Sequence, residues 1–271
     1  MNRSAKVLAF VMLALLLLAT TGCNKLRARD QLNKGVQAYK NAKYEEAIEK
    51  FKNAVALDPS LNVAQLYLAT AYANQYVPGG ETDDNKRIGE QAVQAFKDVL
   101  AKDPTSLNSA KGVASLYFQM KRFDDAKEYN RKALQIDPKD AESYYSIGVI
   151  DWTQTYTPRM EARNKLGLKP DEPLKDKKVC QEIKDKNSAL VDEGMKSLDE
   201  ALKIRPDYDD AMAYYNLLWR EKADIECGDP AAREEDLKQA DAWVDKTLAV
   251  KKDKAAKQAQ ANGGITNDQT K

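Results

Sequence analysis

Residues 107–138 read LNSAKGVASLYFQMKRFDDAKEYNRKALQIDP, and the spacing of their apolar residues decides the fold. At a period of 3.6, Val113, Ala114 and Tyr117 share one face, and further on Ala126, Tyr129, Ala133 and Leu134 share another. The stretch therefore predicts two amphipathic helices. Between them, Lys121-Arg122-Phe123-Asp124-Asp125 is short enough to force an antiparallel hairpin. Asp137-Pro138 ends the second helix, because proline disfavours helix at the residue before it. A hairpin this small cannot bury its own apolar faces, so it predicts neighbours stacked on both sides.

The neighbours are legible in a recurring closure. Pro59, Pro104, Pro138 and Pro206 each follow an apolar-plus-small pair at fixed distances: Phe51 and Ala54, Phe96 and Val99, Asn130 and Ala133, Leu198 and Ala201. Asn130 is the one polar occupant of its slot. The segments IEKFKNAVALDP, VQAFKDVLAKDP, KEYNRKALQIDP and SLDEALKIRP carry the pattern. On these residues the chain resembles the tetratricopeptide family over about residues 28 to 252. That resemblance implies an all-α solenoid of about five helical hairpins, each of about 34 residues.

The fit varies from repeat to repeat. Repeat one offers Gly35, Ala47, Phe51, Ala54 and Pro59, and repeat three is unbroken. Repeat two has Leu68, Ala69 and Tyr72, but Ala92 follows Tyr72 by 20 residues, about eleven more than the family has. Repeat four has Tyr144, Ile147 and Gly148, and Ala201 follows Gly148 by 53 residues, an excess of about one repeat length. The excess suits either a degenerate extra repeat or an irregular insertion. Pro158, Pro170 and Pro173 should break a helix pair there, which favours the insertion. Repeat five has Tyr215, Trp219, Ala240, Val244 and Thr247, with about a dozen extra residues and no closing proline.

Residues 1–22 read as a targeting segment rather than as part of the fold. Arg3 and Lys6 precede an apolar run from Val7 to Ala19, the length of a signal h-region. Thr20-Thr21-Gly22-Cys23 resembles the lipobox of bacterial lipoproteins, with Thr20 where Leu is usual. The resemblance implies lipidation at Cys23, residues 23–27 as an anchoring linker, and a body tethered to the membrane through lipid alone. Asn24 after the cysteine resembles lipoproteins passed on to the outer membrane, facing the periplasm. Residues 253–271 hold almost no apolar side chain and predict a disordered tail.

Composition narrows the function. Without residues 1–22 the chain has 41 Lys plus Arg against 42 Asp plus Glu, a balance that predicts no nucleic-acid partner. The sequence has no His, which removes histidine triads, histidine metal sites and the zinc protease helix motif together. Asp124-Asp125, Asp209-Asp210 and Glu234-Glu235 sit at helix starts or turns, where acids favour the helix dipole. Gly79-Gly80 reads as a turn in an inserted loop. The expectation is a non-catalytic protein with no metal and no cofactor.

What is left is binding. In tetratricopeptide proteins the first helices line a concave groove for a protein or peptide partner. The resemblance carries the usual contact positions onto Asn108, Lys111, Ser115 and Phe118 in repeat three, and onto Glu142, Tyr145, Val149 and Trp152 in repeat four, with Tyr39 as a further aromatic. Tyr145 and Trp152 fit ordinary packing between repeats equally well. The basic clamp some members use for a partner's terminal carboxylate is missing, since Leu32 and Val36 fill its slots in repeat one. The combined expectation is a lipid-anchored periplasmic scaffold, in a class that serves outer-membrane protein insertion and pilus biogenesis. The alternative is a non-catalytic accessory module of an envelope or peptidoglycan-associated enzyme.

Cys180 and Cys227 lie in the insertions of repeats four and five, so both project from the same rim, and an oxidising compartment favours a disulfide between them. Lys175 to Ile204 reads as one long helix, placing Cys180 roughly 13 Å beyond the usual rim. A helix running on to Cys227, stopped by Gly228 and followed by Asp229-Pro230, places the second thiol about 7 Å beyond it. Two unrelated thiols are the alternative.

Overall fold

A computed structural model of the chain describes residues 23–169 and 172–263. Residues 1–22, with the expected signal segment, lie outside that range, as do residues 264–271 of the expected tail. All regular structure among the described residues is helical. A helix over 23–40, α1, is followed by α2 (Tyr44–Leu57), α3 (Asn62–Gln75), α4 (Asp83–Lys102), α5 (Leu107–Gln119) and α6 (Phe123–Ile136). The chain continues through α7 (Ala141–Lys165), α8 (Lys177–Ile204), α9 (Asp209–Asp224) and α10 (Pro230–Gly263). It is an all-α succession of helical hairpins of the tetratricopeptide type, in two compact units that part between Tyr129 and Asn130, within α6.

In the first unit the turns follow from local chemistry. Ala42 and Lys121 have φ of 58° and 59°, the left-handed conformation that closes a helix. In both turns the next amide reaches back to the last full turn, Lys43 N to Ala38 O at 3.0 Å and Arg122 N to Tyr117 O at 2.8 Å. The Asp-Pro closures have their own device. The carboxylate of Asp58 accepts from Ser60 N at 3.0 Å, and that of Asp103 accepts from Thr105 N at 3.0 Å, each folding the chain toward the next helix. The insertion of repeat two is two extra turns at the start of α4 plus a loop over 76–82. Buried Asn85 holds that loop, accepting from Val77 N and donating to Val77 O and Gly80 O, each at 2.8 Å.

The unit's core forms where helices approach closely. Gly35 on α1 lies under the Phe51 ring of α2, and a Cβ there would be 2.5 Å from a ring carbon. Phe51 is fully buried and stacks on Tyr67 with ring centroids 5.4 Å apart. Val113, Ala114 and Tyr117 are all buried on α5, as the helical period requires.

The structure departs from the sequence reading at Pro158, at the end of α9, at the tail and at residues 23–27. No extra hairpin fills the long insertion, because α7 and α8 have lengthened to 25 and 28 residues and are joined by a connection over 166–176. Pro158 does not break α7 but lies inside it. A proline there costs about 3 kcal/mol, which the long packing of α7 on α8 offsets. Buried Asn187 of α8 assists by donating to Thr155 O at 3.0 Å, within the disturbed turn. Next, α9 ends at Asp224, three residues short of Cys227, with Gly228 left-handed at φ 80° before Asp229 caps α10. The tail begins later than its composition suggests, since α10 continues to Gly263 and Lys254 pairs with Asp209 at 2.6 Å. Finally, residues 23–27 are the first turn and a half of α1 rather than a linker.

Gly148 of α7 repeats the close approach of Gly35, here against Leu198 of α8, whose Cγ would lie 2.5 Å from an added Cβ. Leu198 is fully buried, so it has nowhere to retreat. Gly148→Val is expected to destabilise the protein by about 1 to 3 kcal/mol in a denaturant titration. A midpoint equal to that of the parent would mean that the two helices do not need this contact.

Candidate functional site

The first helices of the hairpins carry the residues expected to meet a partner. On α1, Tyr39 is half-buried, with its ring 5.6 Å from Tyr44 and its hydroxyl accepting from Asn74 at 2.7 Å. Its main work is packing. On α5, Asn108 and Ser115 are exposed and Lys111 and Phe118 half-buried, the Phe118 ring lying 6.0 Å from Phe123. On α7, Glu142 is exposed, Val149 is buried, and Tyr145 and Trp152 are half-buried.

Tyr145 and Trp152 belong to a row of rings that the sequence reading only partly anticipates. Tyr214 of α9 stands between them, 5.7 Å from Tyr145 and 5.3 Å from Trp152, edge-on to both. Tyr208 extends the row at 5.0 Å from Tyr145, and Tyr156 extends it at 5.0 Å from Trp152. These spacings are those of favourable aromatic pairs. Tyr145 and Trp152 thus take part in the packing of one repeat on the next. The rings pack α7 against α9 on the core of Leu198, Ala211 and Met212, and they keep an open face. Tyr156 is 39% exposed and is the most open of the row.

Burial first, then the neighbouring tyrosines and the Asp210 carboxylate, push the Tyr145 phenol well above its usual range. Burial pushes Tyr208 up to about 12, against the lowering effect of Arg205 stacked 4.3 Å from its ring. Near neutral pH Tyr145, Tyr208 and Tyr214 therefore keep neutral hydroxyls, and the row presents apolar ring faces. Such a surface suits extended or helical protein segments. Tyr208 and Tyr214 escaped the sequence reading because the contact positions were carried onto repeats three and four only. Tyr208 immediately precedes the acidic pair Asp209-Asp210, a visible helix start, and Tyr214 lies about one turn into that helix.

A second cluster lies where the insertions of repeats four and five meet. Arg163 of α7 is buried and donates to Asp224 at 2.7 Å, to Glu172 O at 2.6 Å and to Lys169 O. Arg159 reaches Asp224 at 3.0 Å and Glu221 at 3.0 Å, and Arg233 of α10 stands 3.9 Å from Asp224. Cys180 and Cys227 are joined beside this network by a disulfide, with Cα atoms 5.8 Å apart. Burial outweighs Arg159 at Glu221, raising that carboxyl from its ordinary 4.5 to about 7, with Asp224 adding to the rise. In sequence, Arg159 with Arg163 and Glu221 with Asp224 were visible only as helix-face pairs.

Among the described residues no group of three or more acidic, Cys or His side chains is placed to hold a metal. No described helix is long and apolar enough to cross a membrane. Cys23, expected as the lipidated residue, is exposed at the start of α1.

Comparison with known proteins agrees with this geometry. Residues 89–147 match the tetratricopeptide repeat family. Among solved structures, the chain is similar to the crystal structure of MamA protein at 16% identity and a TM-score of 0.55, with 85% of this chain and 94% of that one covered. It is also similar to MamA 41-end from Desulfovibrio magneticus RS-1 at 14% identity and a TM-score of 0.56, covering 84% and 96%. A MamA RS-1 ArsTM double mutant gives 14% identity and a TM-score of 0.57, covering 85% and 97%. At these identities the likeness is one of fold. No curated protein sequence matches the chain.

The cluster yields two expectations. Cys227→Ser removes a bridge that closes a 47-residue separation, and should lower stability by about 2 to 4 kcal/mol in oxidising buffer. Equal stability of the two proteins without reductant would show that the bridge contributes nothing. Glu221 holds its proton more tightly in the folded chain than in the unfolded one. Its stabilising effect is therefore full below about pH 4.5 and is lost as pH rises through about 7. Glu221→Gln should flatten the fall in melting temperature between those values, and an unchanged profile would assign that fall to other groups.

Proposed function

We propose that this protein is a lipid-anchored scaffold of the cell envelope that gathers protein partners on its hairpin stack without doing chemistry on them. The observation that carries the reading is the row Tyr145, Trp152, Tyr156 and Tyr214, partly open on α7 and α9, with buried Tyr208 at its end and each ring packed against a neighbour. Rings fixed by one another lose little freedom on binding, and aromatic anchors dominate interface energies. The tetratricopeptide match and the scaffold-type fold support a protein partner.

The anchor reading rests on the run from Val7 to Ala19 and the lipobox-like Thr20-Thr21-Gly22-Cys23. One acylated terminus at Cys23 would tether the body to the outer membrane facing the periplasm, where assembly of outer-membrane proteins or pili takes place. An oxidising periplasm also suits the Cys180–Cys227 bridge.

Two measurements test the reading. Cys23→Ser is expected to move the protein from the membrane to the soluble fraction or to stall its processing. Membrane association unaffected by that change would rule out the anchor. A photo-crosslinking residue in place of Tyr156 should trap a defined protein in the native envelope, while the same residue at exposed Glu182 of α8 should not. Equal adducts from both positions, or none from Tyr156, would remove the row as a docking surface.

A further inference from the structure

On α1 the helical period sorts the side chains into two faces. Ala28, Gly35 and Ala38 are buried, with Leu32, Val36 and Tyr39 half-buried beside them against the Phe51 core. On the opposite face Cys23, Leu26, Arg27, Asp30, Asn33 and Lys34 fall at helical spacings and are all exposed. Leu26, at 71%, is the most exposed large apolar side chain among the described residues. Cys23 stands one turn before Leu26 and Arg27, about 5 to 6 Å from them by helix geometry.

The charges around this turn do not cancel. Lys25, Arg27 and Arg29 are exposed, and none of them is held by an ion pair among the described residues. Asp30 is already taken by Lys34 at 2.8 Å. From α2, the carboxylate that faces the cluster is Asp58, held below its ordinary range by the Ser60 hydroxyl first and by Lys25 and Arg29 from farther away. Lys25, Arg27, Arg29 and Lys34 thus stand against Asp30 and Asp58, four cations against two carboxylates. An open apolar side chain sits among them.

We infer that the open face of α1 lies along the membrane surface, with Leu26 at the headgroup level and Lys25, Arg27 and Arg29 on the phosphates of anionic phospholipids. This placement rests on acylation of Cys23 and adds to it an orientation and a class of lipid. Because residues 23–27 are helical, no slack separates the anchor from the folded body, and an acyl group on Cys23 holds the first turn of the open face at the bilayer. Long cationic side chains can lay their stems along the interface while their heads reach the phosphates. Each such cation adds attraction to an anionic surface and gains little from a zwitterionic one. A polyanion without an apolar layer leaves Leu26 in water.

The full chain, isolated from the native envelope and placed in vesicles of phosphatidylcholine alone or mixed with phosphatidylglycerol, provides the test. Each vesicle carries a lipid with a nitroxide headgroup as quencher. A fluorescent thiol label is placed at Asn33→Cys, about 15 Å along α1 from Cys23, or at Asn53→Cys, exposed on the face of α2 opposite Phe51. Cys180 and Cys227 are bonded to each other, so in the acylated protein the introduced thiol alone takes the label. The label at Asn33 is expected to be quenched about twofold or more strongly on anionic vesicles than on neutral ones, and the label at Asn53 equally little on both. Salt at about 1 M, or the Lys25→Gln/Arg27→Gln/Arg29→Gln triple variant, should remove that difference. All three side chains are exposed, so the variant should melt as the parent does. Equal quenching on the two kinds of vesicle, a difference that survives in the triple variant, or quenching at Asn53 as strong as at Asn33 overturns the placement and leaves the anchor standing. A second labelled thiol, Cys23 itself, would show that the anchor reading has failed and the placement with it.

Discussion

A side chain that is not there sets the spacing on which these hairpins depend. Gly35 and Gly148 each leave room for a bulky partner on the second helix of the same hairpin, Phe51 in one case and Leu198 in the other. Both partners are fully buried as a result. Burying a side chain of that size contributes roughly 1.5 to 3 kcal/mol, and close approach lets the flanking Ala and Val positions touch as well. A hairpin held in this way exposes apolar residues on its outer faces, so its stability comes from stacking on the next. The same geometry leaves the first helices free to carry varied side chains, and the aromatic row stands on them.

Where the chain lengthens, a different physics takes over. The extensions of α7 and α8 have a small apolar centre of Ala162, Ile183, Val191 and Ile225. Around it lie Arg159, Arg163, Glu221 and Asp224, nearly all removed from water. Buried ion pairs are poor sources of net stability, because desolvation consumes most of their attraction, but they are demanding about geometry. Arg163 shows what that demand achieves here, since its guanidinium ties the 166–176 connection through two backbone carbonyls and ties α9 through Asp224. The disulfide then limits how far the two insertions can separate in the unfolded chain. Geometry is set by the charges, and much of the stability by the covalent bond.

These two regimes divide the functional surface of the second unit. The aromatic row is broad and largely apolar, with each ring packed on a neighbour, which suits recognition of another protein. The charge network beside the disulfide is compact and nearly all buried, which suits holding the two insertions in one geometry. Both rest on α9, whose start carries Tyr208 and Tyr214 and whose end carries Glu221 and Asp224. One helix of 16 residues thus connects the two surfaces.

Local chemistry determined a good deal by itself. The period of 3.6 and the Asp-Pro closures specify helical hairpins and their number, because helix faces and Asx turns are made by residues a few positions apart. The slot occupied by Gly148 and Leu198 was readable for the same reason. Tertiary structure decided what such short-range signals cannot reach. Pro158 marks a break in sequence terms, yet α7 runs through it because long packing on α8 outweighs a local cost. Composition assigned residues 253–263 to a tail, yet α10 includes them and Lys254 meets Asp209 across 45 positions. Nothing local joins Arg159 and Arg163 to Glu221 and Asp224, or Tyr145 and Trp152 to Tyr214. Those meetings depend on which helix faces pack together, and burial of the whole chain decides that.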